Sequence, residues 1–269
     1  MMPTLARRCA STVATVGTAA AVALAGSGAA HAASANYVAL GDSYSSGVGA
    51  GSYTSSSGSC DRSTNAYSQL WTNAHSPSSF TFVACSGATT SDVLSGQVSS
   101  LSSATSLVSI TIGGNDVGFS GVMETCVLDS TSSCVSAVDT AESEARNQLP
   151  AKLDSVYAAI KADAPNARVV VLDYPEFYDL SKSSSCIGLS TTDRTDLNQA
   201  ADILDGVIQT EAAKYGDVFA DVRSAFSGHE ICDSSSWLHS VNFLDISESY
   251  HPTASGQSGA YYPVFNSNA

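Results

Sequence analysis

Four short pieces of this chain carry residue types that can do chemistry. They are Gly41-Asp42-Ser43-Tyr44-Ser45-Ser46-Gly47, Cys85-Ser86-Gly87-Ala88-Thr89-Thr90, Gly113-Gly114-Asn115-Asp116 and Glu248-Ser249-Tyr250-His251-Pro252-Thr253. A serine at a strand-to-helix turn is exposed and can attack a carbonyl carbon. A histidine in a loop can take the serine proton as general base and return it to the leaving group. A glycine with an open N–H and an asparagine amide can donate to a developing oxyanion, each such donor being worth about 3–4 kcal/mol. Alone, each piece has a plainer meaning: a helix cap, a turn, a packed histidine. Together, in this order, they are the parts of an acyl-transfer site.

In these four pieces the chain resembles the SGNH (GDSL-type) hydrolase family, with Tyr44 where the family name has Leu. Within it, the ALGDSYSSG and ACSGATT runs resemble secreted actinomycete lipases and phospholipases A1. The resemblance implies a three-layer α/β/α sandwich on a five-stranded, mostly parallel sheet of flavodoxin-like type. It implies Ser43 as nucleophile, His251 as general base, and an oxyanion hole from Ser43 N–H, Gly87 N–H and the Asn115 side chain. It implies ester hydrolysis without a cofactor or metal, on acyl esters of lipids. A carbohydrate acetylesterase uses the same four blocks, and a silent binding protein on the same fold is a third alternative. One position departs from the pattern. Most members place Asp three residues before the histidine, where this chain has Glu248. Either Glu248 or the main-chain carbonyl of Ser249 then orients the imidazole, and the expectation leans to the carbonyl.

Side chains like these must be held by regular elements. Tyr37–Leu40, Phe80–Ala84, Leu107–Ile112, Arg168–Leu172 and Val218–Val222 read as buried strands, several of them stopped by Gly or Pro. Helical spacing links Leu149, Leu153, Val156, Tyr157 and Ile160, and again Leu197, Ala201, Leu204 and Ile208; a further helix start is expected at Ser91. Strands alternating with helices argue for a parallel sheet covered on both faces. The chemistry-bearing pieces follow strand ends, where open α/β sheets keep their sites. Segments 116–146 and 174–192 follow strand ends too, and are expected to wall the cleft.

Several features invite other readings and lose on pattern. Gly47-Val48-Gly49-Ala50-Gly51 lacks the last glycine of a dinucleotide fingerprint, and no G-x-S-x-G occurs. Asp42 and Asp116 are expected to hold turns. His75, His229, His239, Trp71 and Trp237 are expected to pack.

Composition bounds the class. The 269 residues hold 11 Lys+Arg against 25 Asp+Glu, a formal net charge of −14, so a nucleic-acid partner is excluded. Lipid contact must then be transient and apolar, and a monomer is expected. Arg7 and Arg8, the apolar run 13–25 and Ala30-His31-Ala32 read as a secretory leader over residues 1–32. Cleavage is expected after Ala32, with Ala33-Ser34-Ala35 as a second site, leaving a secreted domain over residues 33–269 and a balance of −16. Cys9 leaves with the leader. Cys60, Cys85, Cys126, Cys134, Cys186 and Cys232 remain, an even number that suggests three disulfides in an exported chain. Six cysteines allow 15 pairings. The sequential one is the first expectation, because it joins only neighbouring segments.

Overall fold

Five short runs rich in β-branched and aromatic residues make one sheet in the computed structural model, which describes Met1, residues 34–182, Cys186 and residues 188–269. The leader expected over residues 1–32, with Cys9 and the cleavage site, lies outside the described residues. From Ser34 the chain runs β1 (Asn36–Ala39), α1 (Ser43–Ser46), α2 (Tyr67–His75), β2 (Ser79–Phe82), α3 (Thr90–Asp92) and β3 (Leu107–Ile110). Then come α4 (Phe119–Leu128), α5 (Thr131–Asn147), α6 (Leu149–Asp163), β4 (Arg168–Leu172), α7 (Thr191–Tyr215) and β5 (Val218–Ala220). Three short helices close it: α8 (Arg223–Phe226), α9 (Ala254–Gly256) and α10 (Tyr262–Asn268).

The strand order is β2-β1-β3-β4-β5 and every pairing is parallel, with Tyr37 opposite Phe80 and Leu107, and Val170 opposite Val218. β3 is buried along its whole length, as a strand covered on both faces must be. On one side α7 packs on β4, β5, α5 and α6; on the other α10 packs on α2, β4 and β5. Tyr37 closes that second layer, its ring against Trp71, Phe80 and Phe265. An order of 2-1-3-4-5 puts the topological switch point between β1 and β3, and ligands bind there, past the carboxyl ends.

The structure corrects the expected limits of elements. β1 and β3 end at Ala39 and Ile110, short of the apolar runs, although Leu40 N–H still donates to the Ser109 carbonyl (2.9 Å) and Asp42 N–H to the Thr111 carbonyl (3.0 Å) on either side of Gly41 (φ +122°). A Cβ on Gly41 would meet the Thr111 carbonyl at 2.5 Å, so only glycine lets β1 pass β3 this closely. α3 starts at Thr90, capped by Thr89, rather than at Ser91. The Thr89 hydroxyl accepts from Asp92 N–H while the Asp92 carboxylate accepts from Thr89 N–H, a reciprocal cap that Ser91 cannot make. α5 had no forecast. Its buried face is Cys134, Val138, Ala141 and Ala145, too small and mixed to read as an apolar stripe.

Disulfides join Cys60 to Cys85, Cys126 to Cys134 and Cys186 to Cys232, the sequential pattern. The first tethers the Ser55–Cys60 turn beside Ser86-Gly87; the second ties α4 to α5. Trp71 is buried, and Trp237 lies half-buried with His229 stacked on it at 3.6 Å. Among the described residues, no helix is long and apolar enough to cross a membrane.

Candidate active site

Ser43 opens α1 directly after β1. Asp42 is its N-cap, the carboxylate accepting from Tyr44 N–H (3.0 Å) and from the Thr111 hydroxyl (2.6 Å). Tyr174 donates its hydroxyl to the second Asp42 oxygen and accepts from Gly114 N–H at 3.1 Å. One buried carboxylate thus ties together the turns after β1, β3 and β4. Burial pushes Asp42 up to about 6, against the hydrogen bonds that lower it. Asp116 also holds a turn, accepting from Thr90 N–H and from the Thr90 hydroxyl.

His251 comes from the far end of the chain. Its Nε2 lies 2.7 Å from Ser43 Oγ, across 208 residues of sequence, and its Nδ1 lies 3.0 Å from the Ser249 carbonyl oxygen. An Nδ1–H donating to that carbonyl leaves Nε2 with its lone pair toward the serine hydroxyl. The carbonyl can turn back because Tyr250, between the two residues, sits at φ +64° in the left-handed region. Such a conformation costs about 1–2 kcal/mol for a side chain of this kind. It is held on two sides: Tyr44 O–H donates to the Tyr250 carbonyl at 2.7 Å, and the hydroxyls of Tyr250 and Tyr178 meet at 3.0 Å.

Glu248 points elsewhere. Its carboxylate accepts from Tyr53 O–H at 2.7 Å and from Asn242 Nδ2 at 3.3 Å. Burial pushes the His251 pKa down to about 4, against the Ser249 carbonyl, which raises it; the neighbouring His239 lowers it further. His251 is therefore neutral, and able to accept a proton, throughout the neutral range.

Gly87 has φ +75° and open space where a Cβ would stand, so its loop presents backbone rather than side chain. Asn115 starts the turn after β3 and gives one amide hydrogen to the Ala88 carbonyl at 2.9 Å. That bond fixes the amide plane and leaves the second hydrogen to donate. Ser43 is the first residue of its helix, so its N–H has no acceptor within the helix. Donors of this kind can hold a developing oxyanion.

A narrow apolar cavity opens at Ser43 and Asn115, between α4, α5 and α7; Val122, Ala145, Phe177, Ala200 and Leu204 are among its walls. From segment 116–146 the walls come as expected, and from 174–192 through Tyr174 and Phe177. The α7 wall was not foreseen. A second groove reaches His251 past Met123, Val127 and Val241, and Phe119 contributes to both. Tyr174, Tyr44 and Tyr250 were also missed. Tyr44 and Tyr250 stand within the motif pieces and Tyr174 far from them, and no spacing marks contacts made across 206 or 132 positions. Among the described residues, no group of three His, Cys, Asp or Glu has the geometry to hold a metal ion.

The chain has relatives. The sequence model of the GDSL-like lipase/acylhydrolase family matches residues 39–258. Lipase 1 of Streptomyces coelicolor is 62% identical over 238 residues, covering 88% of this chain and 88% of its own length. Among solved structures, a phospholipase A1 from Streptomyces albidoflavus superposes with a TM-score of 0.86 at 57% identity, over 88% of this chain and all of that one. An extracellular lipase from Streptomyces rimosus superposes with a TM-score of 0.85 at 53% identity, over 87% of this chain and all of that one.

Proposed function

The chain belongs to the GDSL-like lipase/acylhydrolase family, and from that premise we propose that Ser43 and His251 form its catalytic pair. The chain is a carboxylic ester hydrolase of lipase and phospholipase kind. The observation that carries the residue assignment is the 2.7 Å approach of His251 Nε2 to Ser43 Oγ. Ser43 Oγ attacks the ester carbonyl while Nε2 takes its proton. The carbonyl oxygen becomes an oxyanion held by Ser43 N–H, Gly87 N–H and Asn115 Nδ2. Collapse breaks the bond to the leaving oxygen, which receives the proton from His251 and departs as alcohol or lysolipid. Water, losing a proton to His251, then attacks the acyl-serine; the acyl–Oγ bond breaks, Ser43 Oγ takes the proton back from His251, and the fatty acid leaves.

The Ser249 carbonyl orients the imidazole in this reading, and Glu248 braces the loop. The acyl chain lies in the cavity between α4, α5 and α7. Its apolar walls suit a hydrocarbon chain and offer little to a sugar-borne acetyl group, which favours lipid esters over the carbohydrate alternative. The enzyme acts outside the cell as a monomer, released after Ala32, with no cofactor. The extracellular relative and the leader-like N-terminus support export.

A fluorophosphonate probe tests the pair. We expect one label per chain, on Ser43 by peptide mapping, and none on the Ser43→Ala variant, whose turnover should fall by about four orders of magnitude or more. An unlabelled Ser43 beside a labelled control serine hydrolase would sink the assignment.

A further inference from the structure

Large apolar side chains stand in solvent beside the Ser43–His251 pair. Phe243 is 82% exposed, Leu244 100% and Ile246 68%, and Leu128 at the end of α4 is 68% exposed. Phe243, Ile246 and Leu128 border the groove that ends at His251. Single exposed apolar residues are ordinary, but a contiguous cluster marks a surface that meets something apolar. The loop that carries three of them is braced. Asn242 Oδ1 accepts from Leu244 N–H (3.0 Å) and Asp245 N–H (3.3 Å), and Asp245 accepts from Ser247 N–H (3.2 Å). Glu248 anchors its end to Tyr53.

Charge narrows the occupant. Neither 119–134 nor 239–251 contains a lysine or arginine, while Glu124, Asp129, Asp245 and Glu248 fall within them. The whole chain carries −14. An anionic bilayer repels such a face. A phosphatidylcholine surface does not: its ammonium groups lie outermost, toward these carboxylates, and the hydrocarbon beneath accepts Phe and Leu.

We propose that Phe243, Leu244, Ile246 and Leu128 form a docking surface for a zwitterionic phospholipid bilayer. It seats the mouth of the groove on the lipid, so that an ester passes toward Ser43 without crossing water. This rests on the ester-hydrolase reading and adds its lipid interface.

The test uses the full-length enzyme and a Phe243→Ser/Leu244→Ser form, each also with Ser43→Ala for binding. Both rim side chains are exposed, so the core is untouched. The double variant should lose about tenfold or more in sedimentation with phosphatidylcholine vesicles and in hydrolysis of them, while kcat/KM on water-soluble p-nitrophenyl acetate stays within about twofold. Equal vesicle binding by the two forms overturns the proposal, as does preferred binding to phosphatidylglycerol vesicles. A dimer in light scattering that the double variant splits overturns it in favour of a second copy. If the intact enzyme fails to turn over p-nitrophenyl acetate, the ester-hydrolase reading fails instead, and vesicle binding still measures the surface.

Discussion

His251 meets a neutral acceptor on the side away from Ser43, and this governs how the site answers to pH. A main-chain carbonyl fixes the imidazole tautomer but stabilises the imidazolium less than a carboxylate would. With burial the stronger effect, the pKa lies at about 4 rather than 6.5. The base form exists above that value, so activity is lost as pH falls through about 4. We expect the acid limb of kcat/KM near 4, and expect Glu248→Gln to leave the limb in place and kcat within about tenfold. A limb at 6.5 or above in the parent, or a loss of several orders of magnitude in the variant, would return the orienting role to the Glu248 carboxylate. The same burial sets a folding cost. The unfolded chain protonates its histidine from about 6.5 downward and the folded one only from about 4, so His251 removes stability as pH falls across that window.

At the scale of elements, small residues on two helices make the cavity proposed for the acyl chain. Ala141 and Ala145 on α5 and Ala200 and Ala201 on α7 leave room beside Ser43 that larger side chains would fill. The disulfide from Cys126 to Cys134 keeps α4 against α5, and closing so short a loop is worth about 2–3 kcal/mol by chain entropy. The cavity is therefore built to hold its shape. Ala200 is half-buried on the α7 wall, where phenylalanine can enter from the rim. Ala200→Phe should lower the ratio of kcat/KM for p-nitrophenyl decanoate over the acetate by about tenfold or more. An unchanged ratio would place the acyl chain elsewhere. None of these alanines is marked as functional by type; each matters through the void it leaves.

At the scale of the whole molecule, a second buried polar centre ties the sheet to α7. Arg223 Nε lies 3.8 Å from both Asp173 Oδ2, after β4, and Asp205 Oδ2, on α7, while its guanidinium also reaches Asp202 and Asp221. Burial raises both inner carboxyls; Asp221 raises Asp173 further, and Asp173 and Asp221 raise Asp205 further. One cation partly offsets two buried acids, so the pair retains a proton where free carboxylates have lost theirs. The sign follows: the folded state binds more protons, and its stability falls as pH rises toward the raised range. Between pH 6.5 and 8.5, beyond the windows of His251 and Asp42, melting temperature should fall, by about 2–4 °C for each kcal/mol lost. Asp205→Asn should flatten that slope and melt higher than the parent at pH 8.5, because Asp173 then has Arg223 to itself. A variant with the parent's slope would show that the pair is fully ionised at neutral pH.

Much of this molecule was legible in one dimension. Strand cores, their parallel pairing and the pieces bearing Ser43, Gly87, Asn115 and His251 are local patterns: short apolar runs, with polar residues just past their ends. Such patterns survive in sequence because period and turn chemistry act over a few residues. Element limits were less legible. β1 and β3 stop at Ala39 and Ile110, short of the apolar runs, and Thr89 rather than Ser91 caps α3 because a reciprocal bond decides the start. The rest depended on distance in the fold. The Ser249 carbonyl faces His251 only through the left-handed turn at Tyr250, and Glu248 is engaged by Tyr53, 195 residues away. Tyr174 joins Asp42 across 132 residues, and the α7 alanines meet Ser43 only once the helix lies on the sheet. The pieces that bear the residues proposed for acyl transfer were written in the sequence. Which acceptor faces the histidine, and where an apolar cavity opens beside Ser43, were decided by packing, because both turn on contacts that no local spacing encodes.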